Sequence, residues 1–579
     1  MTSARPRLDP GPDDMAAPGA PRRVVDGRSV RWDQDRAEDA YGRGLWVRET
    51  LADALARAAS LTPDRPLVVD GDVVIDALSL WRRARVIADW MRARAPRGAV
   101  VSFMLPNWHE AALIYLASTL AGMVAHPILP SLRDRDLSFM LDDVDSRLLF
   151  VPSTLRGHDY VAMMDRVAAR LTAGPEVVVV RGPAGRHTPF AALEAAAPAD
   201  LPDLNPDLDL DPDAVRMILY TSGTTGTPKG VMHTHNSIHA LVRQLGDAWR
   251  IAPGDVFLVP SPVSHIGGSI YAFEIPLLLG TTAVLMDTWE AARALELMRI
   301  RRCTHMAGAT PFLEQLLAAA QVSGDRLPDL KVFICGGASV PPSLIRAAAA
   351  RFEGARVTRV YGSTEVPVTT VGALGADEVD LAAETDGRPG IAEVRLVGDA
   401  PDAAEVRARG PQMLVGYLHA EDEAPVFDDD GFYRTGDLGR WDPSGCLVIS
   451  GRAKDIIIRK GENISPKEIE DVLLAHPRIA EIAIVGVPDP VSGERACAVI
   501  VARGGPAPDV AELGRYLRAA GFAAFGRDGV DLRIAGQGQR GHQLAPVGRP
   551  GRRTVGAAEI RNQTATPRGH VVHVHHGLA

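Results

Sequence analysis

A chain of 579 residues is too long for one hydrophobic core, so two or more domains are expected. Hydrophobic residues make up 46% and charged residues 23%, a globular composition, and a formal net charge of −9 argues against nucleic acid or an anionic membrane as the main partner. The four cysteines (Cys303, Cys335, Cys446, Cys497) form no CxxC pair, which excludes a disulfide framework or a zinc site and fits reduced thiols in a cytoplasm.

Residues 1–45 are rich in Pro, Gly, Asp and Arg, lack periodicity and contain no apolar signal core, so they read as a disordered leader. No charge occurs between Glu110 and Arg133, but only Ala111 to Ala125 is apolar, and Pro127 and Pro130 interrupt the rest. That predicts a buried helix running into a strand, with no membrane span. Farther along, "GAVVSFML", "AVRMILY", "DVFLVP", "TTAVLM", "LKVFIC" and "RVTRVYG" read as strands. Ile238, Leu241, Val242 and Leu245 lie at helical spacing after an Asn236 cap. Strands alternating with helices imply an α/β fold with largely parallel sheets. "DLNPDLDLDPDA" (203–214) reads as an acidic surface loop, and His233 and His235, with no third ligand nearby, as structural. Between about 388 and 450 the period becomes two, predicting a small antiparallel sheet or β-barrel. Residues 468–503 read as a separate small α/β unit: the helix "KEIEDVLLAH" followed by the strands "IAEIAIVGV" and "ACAVIVA".

The stretch "YTSGTTGTPKGV" (220–231) sits between the predicted strand "AVRMILY" and the predicted helix "NSIHALVRQL", where backbone N–H groups can gather around an anion. Pro228 and Gly230 occupy the places where a Walker loop needs Gly and Ser or Thr, so that pattern fails. Thr221, Ser222, Thr224, Thr225 and Thr227 can instead bond phosphate oxygens, with Gly223 and Gly226 for backbone freedom and Lys229 for charge. Four more motifs follow in order: "CGGASVPP" (335–342), "YGSTE" (361–365), "YRTGDLG" (433–439) and "GRAKDIIIRKGENISPKEIE" (451–470).

Together these resemble the AMP-forming adenylating superfamily, which includes acyl- and aryl-CoA synthetases, luciferases and peptide-synthetase adenylation domains. The resemblance covers roughly residues 46–525. It implies a large N-terminal domain of α/β subdomains with a small β-barrel (46–452), then a small mobile α+β domain (453–526). It implies ATP, Mg²⁺ and CoA as cofactor and co-substrates, with a small carboxylic acid as the other substrate. A homodimer is carried as an expectation for the assembly.

Residue by residue, the resemblance implies that Tyr361 stacks on adenine beside Gly362, Thr364 bonds the α-phosphate, and Glu365 holds Mg²⁺. Gly336 and Gly337 let adenine approach the backbone, with Ala338 beside it. Asp437 accepts from the ribose hydroxyls, Arg452 contributes to ribose and phosphate binding, and Lys454 is the hinge. Gly461 leaves room for a pantetheine arm, which favours CoA as the acceptor over a carrier protein. The segment "SPVSHIGGSIYAFEIP" (261–276) borders the acyl site, with His265 beside the carboxylate. Ile266 stands where amino-acid-activating relatives have an aspartate, and burying an ammonium there unpaired would cost several kcal/mol. An amino acid is therefore not the expected substrate. Gly267, Gly268 and Ser269 would leave space, and Ala309, Thr310, Val366 and Pro367 would form an apolar wall, as in members acting on medium-chain, alicyclic or aromatic acids.

The family ends in P-x-T-x-x-G-K, whose lysine bridges the carboxylate and α-phosphate. Here no lysine follows Lys467, and from Arg527 onward eight arginines stand against three acids. The expectation is a shift of reading frame after about Phe525, leaving 527–579 a disordered tail; the rival is a divergent tail in which Arg549 or Arg552 takes the lysine's place. Adenylation is then expected to be slow. Three readings stay open: an acyl-CoA synthetase, an acyl-AMP ligase that loads a carrier protein, and a non-catalytic nucleotide or acyl-adenylate binder.

Overall fold

The computed structural model describes residues 21–195, 209–221, 227–337, 339–398, 404–459, 462–489, 493–520 and 533–537. Parallel strands buried on both faces need near-continuous apolar runs, and two seven-stranded sheets are built from them. Across the first run Thr188–Pro189, Glu176–Val180, Ser146–Pro152, Val100–Phe103, Val124–Pro127, Val215–Thr221 and Lys229–Thr234, all parallel except the last pair. Across the second run Arg356–Arg359, Val332–Cys335, His305–Gly308, Val256–Val259, Thr282–Leu285, Pro66–Asp70 and Val73–Asp76, again parallel except the last pair.

One core joins the two sheets. Leu55, Leu80, Leu113 and Leu241 enter it from the helices Leu51–Leu61, Ala77–Arg92, His109–Leu120 and His235–Ala248, meeting Val101, Phe103 and Met217 of the first sheet and Leu67, Phe257 and Ala283 of the second. Every residue from Glu110 to Leu120 is buried, the expected apolar helix, and no helix among the described residues is long and apolar enough to cross a membrane. Inside this core Arg216 is ion-paired with Glu274, which also accepts from the Tyr115 hydroxyl. The pair ties the strand that enters the "YTSGTTGTPKGV" loop to the π-helix Ile270–Glu274 that follows His265.

Beyond these sheets, Glu393–Val397, Ala404–Arg409, Tyr433–Trp441 and Leu447–Arg452 form an antiparallel four-stranded sheet that is open among the described residues, so the barrel alternative does not hold there. The helix Pro466–Leu474 packs on the antiparallel strands Ile479–Asp489 and Gly493–Ala502, with Ile469, Leu473, Ile484 and Ile500 in their shared core.

Several expectations are corrected. The stretch 220–231 does not run from a strand directly to a helix: Lys229–Thr234 returns as a strand antiparallel to Val215–Thr221, pairing Lys229 with Thr221. The quoted loop is thus a strand-to-strand connection, with no helix N-terminus behind it. The cap of the next helix is Thr234, in a capping box with Ser237; Asn236 instead donates to Asp213 and Tyr41. Residues 21–45 are ordered, forming the hairpin Arg22–Val25 with Arg28–Arg31 and the helix Gln34–Gly42. Asp213, expected in a surface loop, is buried and accepts from Tyr41 and Asn236. The strand Arg533–Gln537, in the stretch expected to be disordered, pairs parallel with Gly493–Ala502. Residues 1–20, 521–532 and 538–579 lie outside the described residues.

Candidate active site

The strand pair Val215–Thr221 and Lys229–Thr234 delivers Thr221 and Lys229 side by side at the base of the loop. The loop residues expected to bond phosphate, Ser222, Gly223, Thr224, Thr225 and Gly226, lie outside the described residues. Thr221 donates to the Glu365 carboxylate at 3.2 Å, so residues 144 positions apart meet here. Glu365 is only 6% exposed. Its carbonyl accepts from Leu414 N–H at 2.7 Å. The preceding carbonyl, of Thr364, accepts from the buried His233 ring at 2.8 Å, which fixes the turn. His233 is therefore structural, as expected, and its target is the turn that carries Thr364 and Glu365.

Tyr417, which stands in none of the quoted motifs, and Tyr433, the first residue of "YRTGDLG", complete this corner. The Tyr417 hydroxyl donates to Glu365 at 3.0 Å and lies 3.2 Å from the Tyr433 hydroxyl. Lys229, almost wholly buried, lies 5.3 Å from the centroid of the Tyr417 ring and 3.4 Å from Asp422. Burial first, and then the Glu365 charge, raises the pKa of Tyr417 and Tyr433, so both are neutral donors. A buried carboxylate beside a threonine hydroxyl is a hard-oxygen donor set of the kind Mg²⁺ takes, and Lys229, beside the Tyr417 ring, suits a polyphosphate.

On the other side of the "YGSTE" turn, Asp437 accepts from the Tyr361 hydroxyl at 2.7 Å and pairs with Arg452 Nε at 3.1 Å. Asp437 and Arg452 are register partners on neighbouring strands. Burial raises the Asp437 pKa despite the pull of Arg452, which is 44% exposed and therefore well screened. Each of these partners uses one lone pair, so both Asp437 oxygens keep acceptor capacity. Tyr361 thus bonds Asp437, a contact its stacking role did not foretell. Gly362 cannot carry a side chain, since a Cβ would sit 2.5 Å from Val368 N. Gly336 would meet Val360 O at 2.9 Å, and Gly337 has φ +82°. Ala338 and Gly461 lie outside the described residues. Lys454 is exposed in the short turn Ala453–Asp455, between the end of the four-stranded sheet and the strand Ile457–Arg459.

The acyl-side residues separate. His265 precedes the short helix Ile266–Ser269, and its side chain has no hydrogen bond or ion pair among the described residues. Partial burial lowers its pKa from 6.5. Gly268 does not leave open space: a Cβ would lie 2.0 Å from Pro262 O, so this glycine is demanded by backbone packing. Gly267 does face room, its Cβ meeting only Tyr271 at 3.7 Å. Ser269 is buried and bonds Ile266 O at 3.1 Å. Val366 sits in the core with Val231, Leu414 and Tyr417, so it is packing that it supplies, and Pro367 is buried next to it. Ala309 caps the helix Thr310–Ser323, and Thr310 donates to Ser339 O at 2.8 Å, joining this strand end to the "CGGASVPP" turn.

Residues 55–418 match the AMP-binding enzyme family, and residues 468–527 match the AMP-binding enzyme C-terminal domain. The medium-chain fatty-acid–CoA ligase of Escherichia coli (strain K12) is 35% identical over 82% of this chain and 84% of its own. The 2,3-dihydroxybenzoate-AMP ligase of Bacillus subtilis (strain 168) is 30% identical over 85% of this chain and 92% of its own. Among solved structures, ATP-bound MatB from Rhodopseudomonas palustris superposes with a TM-score of 0.70 at 27% identity, covering 81% of this chain and 92% of that one.

Proposed function

The chain belongs to the AMP-binding enzyme family and is an ATP- and Mg²⁺-dependent acid–thiol ligase with CoA as co-substrate, and from that premise we propose that its acid has an uncharged medium-chain, alicyclic or aromatic tail. The observation that carries this is Ile266 directly after His265, at the place where a substrate ammonium would need an acidic partner. A fatty-acid and an aryl-acid ligase among the relatives span that range of tails.

The residues divide the work as follows. Lys229 exchanges Asp422 for the outer phosphates, and Thr221 closes the base of the phosphate loop. Glu365 would hold Mg²⁺, which would supply charge neutralisation to the phosphates. Asp437 holds the ribose, Tyr361 faces the adenine, and the neutral His265 ring lies against the carboxylate. The carboxylate attacks the α-phosphorus, the bond to pyrophosphate breaks, and the acyl-adenylate then passes its acyl group to the CoA thiol with release of AMP.

Pyrophosphate release measured over a panel of acids, with and without CoA, tests the reading. Octanoate, cyclohexanecarboxylate or benzoate should stimulate it and yield thioester with CoA. Stimulation by amino acids alone would overturn the substrate class. Because residues 468–579 contain no lysine, we expect synthetic acyl-adenylate plus CoA to react faster than acid plus ATP does. Equal impairment of the two steps would refute that expectation.

A further inference from the structure

We infer that Tyr417 is the positioning residue of the Mg²⁺–phosphate corner and that the N-terminal hairpin holds it there. The inference rests on the site reading above and adds residues to it. Tyr417 touches both charged groups of the corner: its hydroxyl donates to Glu365 at 3.0 Å, and its ring lies 5.3 Å from the Lys229 ammonium. A buried carboxylate that is to meet a metal needs its rotamer fixed, and hydrogen bonds from outside the ligand set are what fix it.

Tyr417 is itself anchored from far away. Its backbone N–H donates to Glu423 at 3.1 Å, and Glu423 accepts Arg22 at 2.7 Å and Arg31 at 3.3 Å from the hairpin. Arg31 N–H also donates to Val415 O at 2.7 Å, and its guanidinium lies 3.7 Å from the Phe427 ring centroid. The strap leaves no spare room: at Gly416, φ +136°, a Cβ would lie 2.6 Å from Glu423 Oε1. The hairpin lies before residue 55, outside the matched family region, yet it reaches the metal carboxylate through two residues, Glu423 and Tyr417.

Calorimetric titration with a non-hydrolysable ATP analogue, with Mg²⁺ and with EDTA, tests this on the full chain. Tyr417→Phe keeps the ring beside Lys229 and removes the hydroxyl. It should bind the analogue about tenfold more weakly with Mg²⁺ and as well as the parent chain in EDTA. Glu423→Gln should show a smaller loss of the same kind, and it carries the test should Tyr417→Phe fail to fold. A parent chain that gains affinity from Mg²⁺ while both variants gain as much would overturn the role of Tyr417 and leave the site reading standing. A parent chain with no nucleotide affinity in either buffer would overturn both.

Discussion

Replacing Glu365 by glutamine is expected to slow pyrophosphate release by about 10²–10³-fold, the usual loss when one group aimed at developing charge is removed. The amide keeps the shape of the side chain, and its oxygen still accepts from Thr221 and Tyr417, so the corner itself should survive. What disappears is the negative charge that a hard divalent cation requires. The parent chain buries that carboxylate at 6% exposure, with Lys229 directed to Asp422 and the Tyr417 ring. Burying an ion without a close opposite charge opposes folding, so the variant should melt no lower than its parent. Loss of activity with a retained melting temperature therefore separates a functional carboxylate from a structural one. Unchanged turnover at saturating Mg²⁺, or a large drop in melting temperature, would contradict the assignment.

The doubly covered parallel strands were legible because "VVSF", "TAVL" and "VFIC" are apolar but for Ser102 and Thr282, and no surface helix reads that way. The return strand Lys229–Thr234 was not, because lysine, glycine, histidine and threonine dilute its pattern although all six residues are buried. That strand also moved the helix cap to Thr234, the last extended residue before the turn of the chain. Order in residues 21–45 was invisible for a different reason. Arg22 and Arg31 look like leader charges locally, and their partner Glu423 lies about four hundred positions away. In the candidate site, Thr221, Glu365 and Asp437 stand in motifs to which the family resemblance drew attention, whereas Tyr417 stands in none of the quoted motifs and became evident only from its contacts. Gly268 and Val366 were assigned to the pocket by position, but side-chain direction depends on packing that sequence does not display.

Acid should destabilise this protein well before its carboxylates titrate, and the cause is a set of buried and half-buried histidines that includes His126, His233, His235 and His239. Burial lowers the pKa of His126 to about 3 and those of His233 and His239 to about 4. Unfolded, each would titrate near 6.5. Below that value the unfolded chain binds protons that the folded chain refuses, so stability rises with pH and is lost as pH falls from about 6.5 toward 4. Each such histidine contributes a slope of up to about 1.4 kcal/mol per pH unit. Asp70 and Asp255, whose pKa values are lowered by bonds to His109 and Lys331 against the opposing effect of burial, push the same way but only below about pH 4, where unfolded aspartate protonates. Urea midpoints at pH 7.5, 6 and 5 should therefore fall steeply in an interval where carboxylates are still ionised. His239 offers the cleanest control, because its Nδ1 has no hydrogen-bond partner and its removal breaks no bond there. His239→Met should reduce the slope between pH 6 and 5 by up to about 1.4 kcal/mol per pH unit. A slope unchanged by that substitution, or a midpoint flat to pH 5, would mean that these rings are protonated in the folded chain after all.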